Sequence, residues 1–467
     1  MKKLSITSVL TILCILISWL ISTRPVDNTP FYNTAYYSIS QQRIEFLENK
    51  TNSAKDQLHA GFSKVSITPL LHQGEENLEL DKFDEIPLAG YGDRKGAPAA
   101  GIHDSIFIRA AALKAGIKEV IMVSADLLII PPDITDSLTS YLHRIGINRE
   151  QIFLAATHTH SSLGAWGGGI AGRKFSGEEN ENLKTWLTIK FAKAITKAIE
   201  DLKPASFSSG NFNAGEFTRN RLVDDKGTKN DDFSYILIKQ HGHKDAILGS
   251  FSAHATTLGK SNMEVSADYP GYWARYLEGS FTDFALFFAG SMGSQSPISK
   301  GEGFNKASYL GEELAKRLVN TIDTSSLSNE ILLTSISLEL PLPPYRFRLT
   351  TKRTLTTWLT KKLMPYPDNA VIQAIRLNNT IWISTPADFS GEYAVQVQDR
   401  LSAQGFESNI TSFNGSYLGY IIPGRYFYLD KYEPKTMGWY GPWMGDYTMD
   451  LIRQLTNTIT ETEHHLN

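Results

Sequence analysis

The chain has 467 residues, 42% of them hydrophobic and 20% charged, which is the balance of a globular protein with ample material for a core. A net charge of −3 excludes a global basic field that would draw it to nucleic acid. Its single cysteine, Cys14, excludes an intrachain disulfide framework and a cysteine-built zinc site, so any metal must be held by His, carboxylate or Tyr.

Lys2 and Lys3 precede an apolar run over 4–21, the pattern of a positive n-region and an h-region about long enough to cross a bilayer. No A-x-A cleavage site follows in Ile21-Ser22-Thr23-Arg24-Pro25. Residues 1–25 are therefore expected to be a signal anchor holding an exported body, periplasmic or extracellular; cleaved as a signal peptide, they would leave the body secreted. Residues 26–59 read as a membrane-proximal spacer with weak helical character over 41–55, and the globular body is expected over 60–467.

Within that body, Val65-Ser66-Ile67-Thr68-Pro69 reads as a strand stopped by proline, followed by an acidic loop over 71–85. A glycine-punctuated loop over 88–94 and His103, structural or functional, precede an apolar strand over 106–113. The buried strand 120–126 ends in Asp126, which either caps the next element or supports a site. A helix over 133–145 leads to the apolar run Ile152-Phe153-Leu154 and then to Thr157-His158-Thr159-His160-Ser161-Ser162, with Gly164, Gly167, Gly168 and Gly169 beyond. In an extended chain His158 and His160 share a face. Two imidazoles at a strand end beside permissive backbone suit a metal; a hydrogen-bonded histidine pair remains the alternative.

The helix expected over 178–202 carries an apolar stripe of Leu183, Trp186, Leu187, Ile189, Phe191, Ala192, Ile195 and Ile199. Strands follow over 206–213, 233–240 and 246–253, and the last runs into His254-Ala255-Thr256-Thr257, a second strand ending in histidine and hydroxyl residues. A helix begins near Asp268. The apolar strand 284–288 opens into Gly293-Ser294-Gln295-Ser296-Pro297, which lacks the G-x-S-x-G elbow of one class of serine hydrolase. Alternation of strands and helices argues for an α/β fold with a mixed β-sheet flanked by helices.

The segment 340–367 carries Arg346, Arg348, Lys352, Arg353, Lys361 and Lys362 without one acidic residue, interleaved with Phe347, Leu355, Trp358, Leu363 and Met364. It reads either as a surface resting on anionic lipid or as a solvated flank. A hairpin over 372–385 turns at Asn378-Asn379 and ends in Pro386-Ala387-Asp388-Phe389. Helices are expected over 392–402 and 449–460. Between them Tyr417, Tyr420, Tyr426, Tyr428, Tyr432, Trp439, Tyr440 and Trp443 are dense enough to wall a pocket.

These stretches together resemble the neutral/alkaline non-lysosomal ceramidases, zinc-dependent amidases that split ceramide into sphingosine and a fatty acid. The resemblance rests on Ala156-Thr157-His158-Thr159-His160-Ser161, Ala253-His254-Ala255-Thr256, Gly293-Ser294-Gln295-Ser296-Pro297, Pro386-Ala387-Asp388-Phe389, and Tyr417-x-x-Tyr420 with Tyr432-Glu433, five motifs in family order. It spans 60 to the C-terminus and leaves no room for the family's C-terminal immunoglobulin-like domain. The resemblance implies one Zn²⁺ per chain held by His158, His254, Asp388 and Tyr420. It implies His160 as proton donor, Tyr432 as stabiliser of the acyl oxygen, Arg221 as a substrate contact, and Ser296 at the position of a serine considered for catalysis. Attack by zinc-bound hydroxide on the acyl carbon is the implied mechanism.

Three departures stand out: Asp388 replaces a family Glu, Ser294 a loop Asp and Ile298 an Asn. They leave open a zinc hydrolase of another lipid amide or ester, a metal-free hydrolase centred on Ser296, and a non-catalytic lipid-binding protein that kept the fold.

Overall fold

The strand Ala54–Ser66 is the branch point of the architecture. Its first residues pair antiparallel with Glu330–Pro341, and its remainder pairs with Phe107–Ala115. At His59 and Ala60 it also touches Lys203–Asn213. The computed structural model describes residues 6–71, 74–324, 326–365 and 369–461. Among them, twelve strands join into one sheet. Both pairing modes occur in it, so the sheet is mixed, as expected. Lys118–Ala125 runs parallel to Ile152–Ala156, Asp245–Phe251 to Phe284–Ala289, and Thr380–Ser384 to Glu407–Thr411.

Because the long strand is shared, two arms of the sheet face each other. Phe153 lies edge-on to Phe288 with ring centres 6.0 Å apart, and Phe288 meets Trp382 in the same way. Leu58, Leu113, Met122, Ile236 and Leu248 complete this inner core. Strands covered on both sides read as continuous apolar runs rather than alternating ones, which is the pattern of Phe284–Ala289.

Helices cover the outer faces. Glu181–Glu200 begins at Asn180, whose side chain accepts from the Leu183 backbone N–H, and buries Leu183, Trp186, Leu187, Phe191 and Ile195. Ile189, expected on that stripe, is 56% exposed. Two residues past Leu187, it lies about 200° around the helix and faces solvent.

The N-terminal third corrects two expectations. The apolar run forms the helix Ile6–Ser22, whose 17 residues extend roughly 25 Å against a hydrocarbon core of about 30 Å. Among the described residues no helix is long and apolar enough to cross a membrane, so the expected spanning anchor is not supported. Lys2 and Lys3 lie outside the described residues. Residues 26–59, expected to be a spacer, pack into the body. Helix Ala35–Lys50 buries Ser40 and Ile44, with the Ser40 hydroxyl 2.7 Å from that of Tyr447. Phe31 and Tyr36 lie against the Tyr447 ring. A few aromatics, not a long apolar stripe, hold this segment down, so its polar composition concealed it.

Candidate metal centre and cavity

Three strand ends converge on one point. His158 lies two residues past Ile152–Ala156, His254 three past Asp245–Phe251, and Asp388 four past Thr380–Ser384. Each of these strands belongs to a parallel pair, and the loops beyond their carboxyl ends form a crevice, the usual ligand position in such sheets. A short parallel pair, Asp388–Phe389 with Tyr420–Ile421, sets Asp388 directly beside Tyr420.

Each ring is oriented by the backbone. His158 Nδ1 donates to the Leu128 carbonyl at 2.7 Å, and His254 Nδ1 donates to the Gln295 carbonyl at 2.8 Å. Both Nε2 lone pairs are thereby turned toward Asp388 Oδ1, at 3.6 and 3.1 Å respectively. His158 adopts a left-handed backbone, φ 61°, and stacks on Phe413, which does the same at φ 66°. Two such residues in contact are backbone strain held by the surrounding packing.

Asp388 is fully buried. Its Oδ2 accepts from the Tyr417 hydroxyl at 2.6 Å, while Oδ1 has no hydrogen-bond donor among the described residues. An orphaned buried carboxylate oxygen facing two imidazole lone pairs is the arrangement a cation completes. The candidate ligand atoms of His158, His254 and Asp388 all lie within 4.8 Å of one another.

Burial dominates the protonation of this cluster. It lowers the His158 pKa to about 3 against a smaller opposing pull from Asp388, and holds His254 and His160 well below the ordinary value. The imidazoles are therefore neutral, the form that ligates metal. Burial also raises Asp388, opposed by His158 and by the Tyr417 hydrogen bond. Tyr420 is raised well above its ordinary value by burial and then by Asp388, so without a cation it remains a phenol. The set of imidazole, carboxylate and phenol oxygen suits Zn²⁺.

Arg221 closes one side. Its Nη2 donates to the Tyr420 oxygen at 2.8 Å and lies 3.2 Å from His254 Nε2, and its Nε donates to Glu433 at 2.9 Å. Burial alone would lower its pKa, but Tyr420, Glu433 and Asp388 together raise it. His160 Nε2 stands 3.2 Å from His158 Nε2, and the His160 ring lies against Tyr91. Gly90, at φ 115°, leaves room for that imidazole: a Cβ there would sit 2.6 Å from His160 Nδ1.

The cluster borders a cavity of about 760 Å³ through His158, His160 and Tyr420. His158, His160, Tyr417, Tyr420 and Tyr432 face it, and Leu128, Ile129, Trp166, Phe175, Phe347 and Trp439 give it apolar walls. The volume and lining are those of a site that buries a largely apolar ligand.

Residues 82–297 match the family model described as neutral/alkaline non-lysosomal ceramidase, N-terminal. No curated protein matches this chain. Its fold is similar to the crystal structure of neutral ceramidase from Pseudomonas aeruginosa, with a TM-score of 0.74 at 18% identity over 87% of this chain and 75% of that one. A structure titled as a ceramidase complexed with C2 is similar too, with a TM-score of 0.72 at 18% identity over 85% of this chain and 74% of that one.

Seven of the eight residues singled out from sequence come together: His158, His160, His254, Asp388, Tyr420, Arg221 and Tyr432. Tyr432 stands at the cavity with its ring edge-on to Tyr420. Ser296 is placed differently. Its hydroxyl accepts from Arg219 Nε at 3.2 Å, and it does not line the cavity.

His103 bonds the Tyr272 hydroxyl and stacks on Phe304, away from the cavity lining. Asp126 accepts from Arg109 and from the Phe107 backbone, and so ties the end of strand Lys118–Ala125 to its neighbour Phe107–Ala115. Tyr417, expected as part of a pocket wall, does line the cavity and also bonds Asp388. Glu433, quoted only within its motif, holds Arg221. Phe413 carries no signal in the sequence, because stacking on His158 depends wholly on tertiary placement.

Proposed function

We propose that this chain is a zinc-dependent amidase that hydrolyses the N-acyl bond of ceramide or a related lipid amide, releasing a sphingoid base and a fatty acid. One observation carries the reading: the orphaned Asp388 oxygen and two oriented imidazoles adjoin, through His158 and Tyr420, an apolar cavity large enough for a lipid chain. The family match and the names of the structural relatives supply the substrate class.

His158 Nε2, His254 Nε2, Asp388 Oδ1 and the Tyr420 oxygen would hold the ion. Zinc bound there supplies Lewis acidity and a water acidic enough to ionise near neutral pH. The remaining work falls to the chain. Apolar walls exclude bulk water and fix the acyl chain, which presents the amide in one orientation. The Tyr432 hydroxyl, at the cavity, would stabilise the charge that develops on the acyl oxygen, and Arg221, held by Glu433 and bonded to Tyr420, would add positive charge behind it. His160, neutral through burial, takes the proton of the attacking water at a ring nitrogen and delivers it to the amide nitrogen as the C–N bond breaks.

The test is hydrolysis of a fluorescent short-chain ceramide by the purified chain, with metal content measured on the same sample. One zinc per chain, turnover abolished by a chelator and restored by zinc, is the expected result. Zinc without turnover on any lipid amide or ester would remove the amidase reading. Turnover indifferent to chelation but lost in Ser296→Ala would replace it with a serine hydrolase.

A further inference from the structure

Of the glycine-punctuated loop 88–94 the catalytic reading uses only Gly90. The loop ends in Arg94, which closes the short turn Gly92–Arg94 and is 7% exposed. Its guanidinium is met by main-chain carbonyls rather than by a carboxylate. Nε donates to Lys260 at 3.3 Å, Nη1 to Ala89 at 3.2 Å and to His160 at 2.5 Å, and Nη2 to Asn262 at 2.7 Å. These carbonyls belong to three separate stretches: the loop itself, the histidine loop, and the turn beyond His254. A planar fork of five N–H donors can join them; the compact ammonium of a lysine cannot.

His160 is the imidazole that needs such support. His158 and His254 are each oriented by an Nδ1 bond to a backbone carbonyl, whereas His160 Nδ1 is buried with no hydrogen-bond partner among the described residues. The His160 ring is held by its surroundings instead. Its centre lies 4.8 Å from that of the Tyr91 ring, and the Arg94 guanidinium lies over the same Tyr91 ring at 4.8 Å. The Tyr91 hydroxyl donates to the Leu258 carbonyl at 3.0 Å, and the His160 backbone N–H donates to the Ala255 carbonyl at 3.3 Å. Arg94 itself does not line the cavity.

We propose that Arg94 is the positioning residue of His160. Through the His160 carbonyl and the Tyr91 ring it fixes the imidazole beside His158, at the cavity wall. The consequence for turnover rests on the amidase reading, in which His160 carries the proton; the placement of the ring does not. An arginine that merely tied loops together would, once removed, loosen the metal centre and the cavity along with His160. A positioning residue releases one ring and leaves the metal and the substrate where they were.

The experiment compares the full chain with Arg94→Lys, which keeps the charge, and with Arg94→Ala, with and without added guanidinium at concentrations far below denaturing ones. Turnover of a short-chain ceramide and zinc content are measured on each sample. The rate at which diethyl pyrocarbonate acylates His160 is followed by mass spectrometry of its peptide. Both variants are expected to lose about a hundredfold in kcat, with KM within about twofold of wild type and zinc content unchanged. His160 should be acylated at least about tenfold faster in both. Guanidinium should restore kcat and slow the acylation in Arg94→Ala but not in Arg94→Lys, whose side chain fills the space. Zinc lost in step with kcat, or KM rising as far as kcat falls, identifies a general strut and overturns the proposal. Wild-type kcat and acylation rate in the variants overturn it too. Should Arg94→Ala fail to fold, Arg94→Lys decides by the same readings. A wild-type chain that turns over no lipid amide removes the amidase reading and leaves the acylation rate to decide. Faster acylation in the variants then upholds the positioning, and an unchanged rate ends it.

Discussion

His254 shows how little freedom a candidate ligand position has. Its Nδ1 is committed to the Gln295 carbonyl, so only Nε2 is available, and that atom faces Asp388 and Tyr420. Replacing it by Ala removes a ligand and opens the site. Metal content is expected to fall below stoichiometric and turnover by at least about a hundredfold. A fully loaded, fully active His254→Ala protein would falsify the ligand assignment. Tyr417 acts one step further out, donating to Asp388 Oδ2. Tyr417→Phe keeps the ring, which lies edge-on to Trp439, and deletes only the hydroxyl. The carboxylate loses the bond that orients it, and metal affinity measured by competition with a chelating dye is expected to drop about 10–100-fold. Unchanged affinity would show that packing alone holds Asp388. The histidines could be read from sequence because H-x-H at a strand end is a local pattern. The partners of Tyr417 and Glu433 could not, because Asp388 and Arg221 are brought to them by the fold.

At the scale of elements, the loop 290–297 illustrates a role different from the one its sequence suggests. It reads as a place for a nucleophilic serine. In the fold its backbone does the work: Gln295 offers its carbonyl to His254, and its side-chain amide ties the loop to Asn230, Thr218 and Ser252. Gly293 lets the loop press against the Asp388 backbone, since a Cβ there would stand 2.3 Å from the Asp388 carbonyl oxygen. Gly293→Ala must therefore push two segments of the centre apart. The expected cost is about 1–3 kcal/mol of stability, with loss of metal at concentrations that saturate wild type. Denaturant melts and metal titration on the same sample check both, and a variant matching wild type in each would show that the loop gives way freely. Most elements were legible because long apolar or amphipathic runs have a clear period. Helix Ala35–Lys50 was not, because it buries only Ser40 and Ile44 and depends on aromatic contacts from distant chain.

For the whole molecule, the centre joins segments that are far apart in sequence. His158, His254, Asp388 and Tyr420 come from four regions spanning more than half the chain. A cation binding the folded state alone stabilises all of them at once, by about 4 kcal/mol at a thousandfold excess over its dissociation constant. Melting in the presence of zinc is expected a few °C above melting with chelator. The His254→Ala chain should show no such difference. Equal melting of wild type in both conditions would argue against a folded-state metal site. The cavity belongs to this scale as well, with walls drawn from the histidine loop, from 347–365 and from the aromatic tail.

The sequence by itself determined the mixed α/β class, the strand ends that carry His158 and His254, and a family resemblance that put Asp388, Tyr420 and Arg221 on the same list. These are local matters of apolar period, turn chemistry and short motifs, and they survive without coordinates. Tertiary structure alone decided that the three candidate ligand atoms lie together, that Ser296 turns to Arg219 rather than into the cavity, that residues 26–59 fold into the body, and that the strand after the apolar N-terminal helix pairs with Arg353–Leu355. The reason is physical. Whether a side chain reaches a site depends on the relative placement of strands tens or hundreds of residues apart, and that placement is set by sheet register and core packing, which no local pattern encodes.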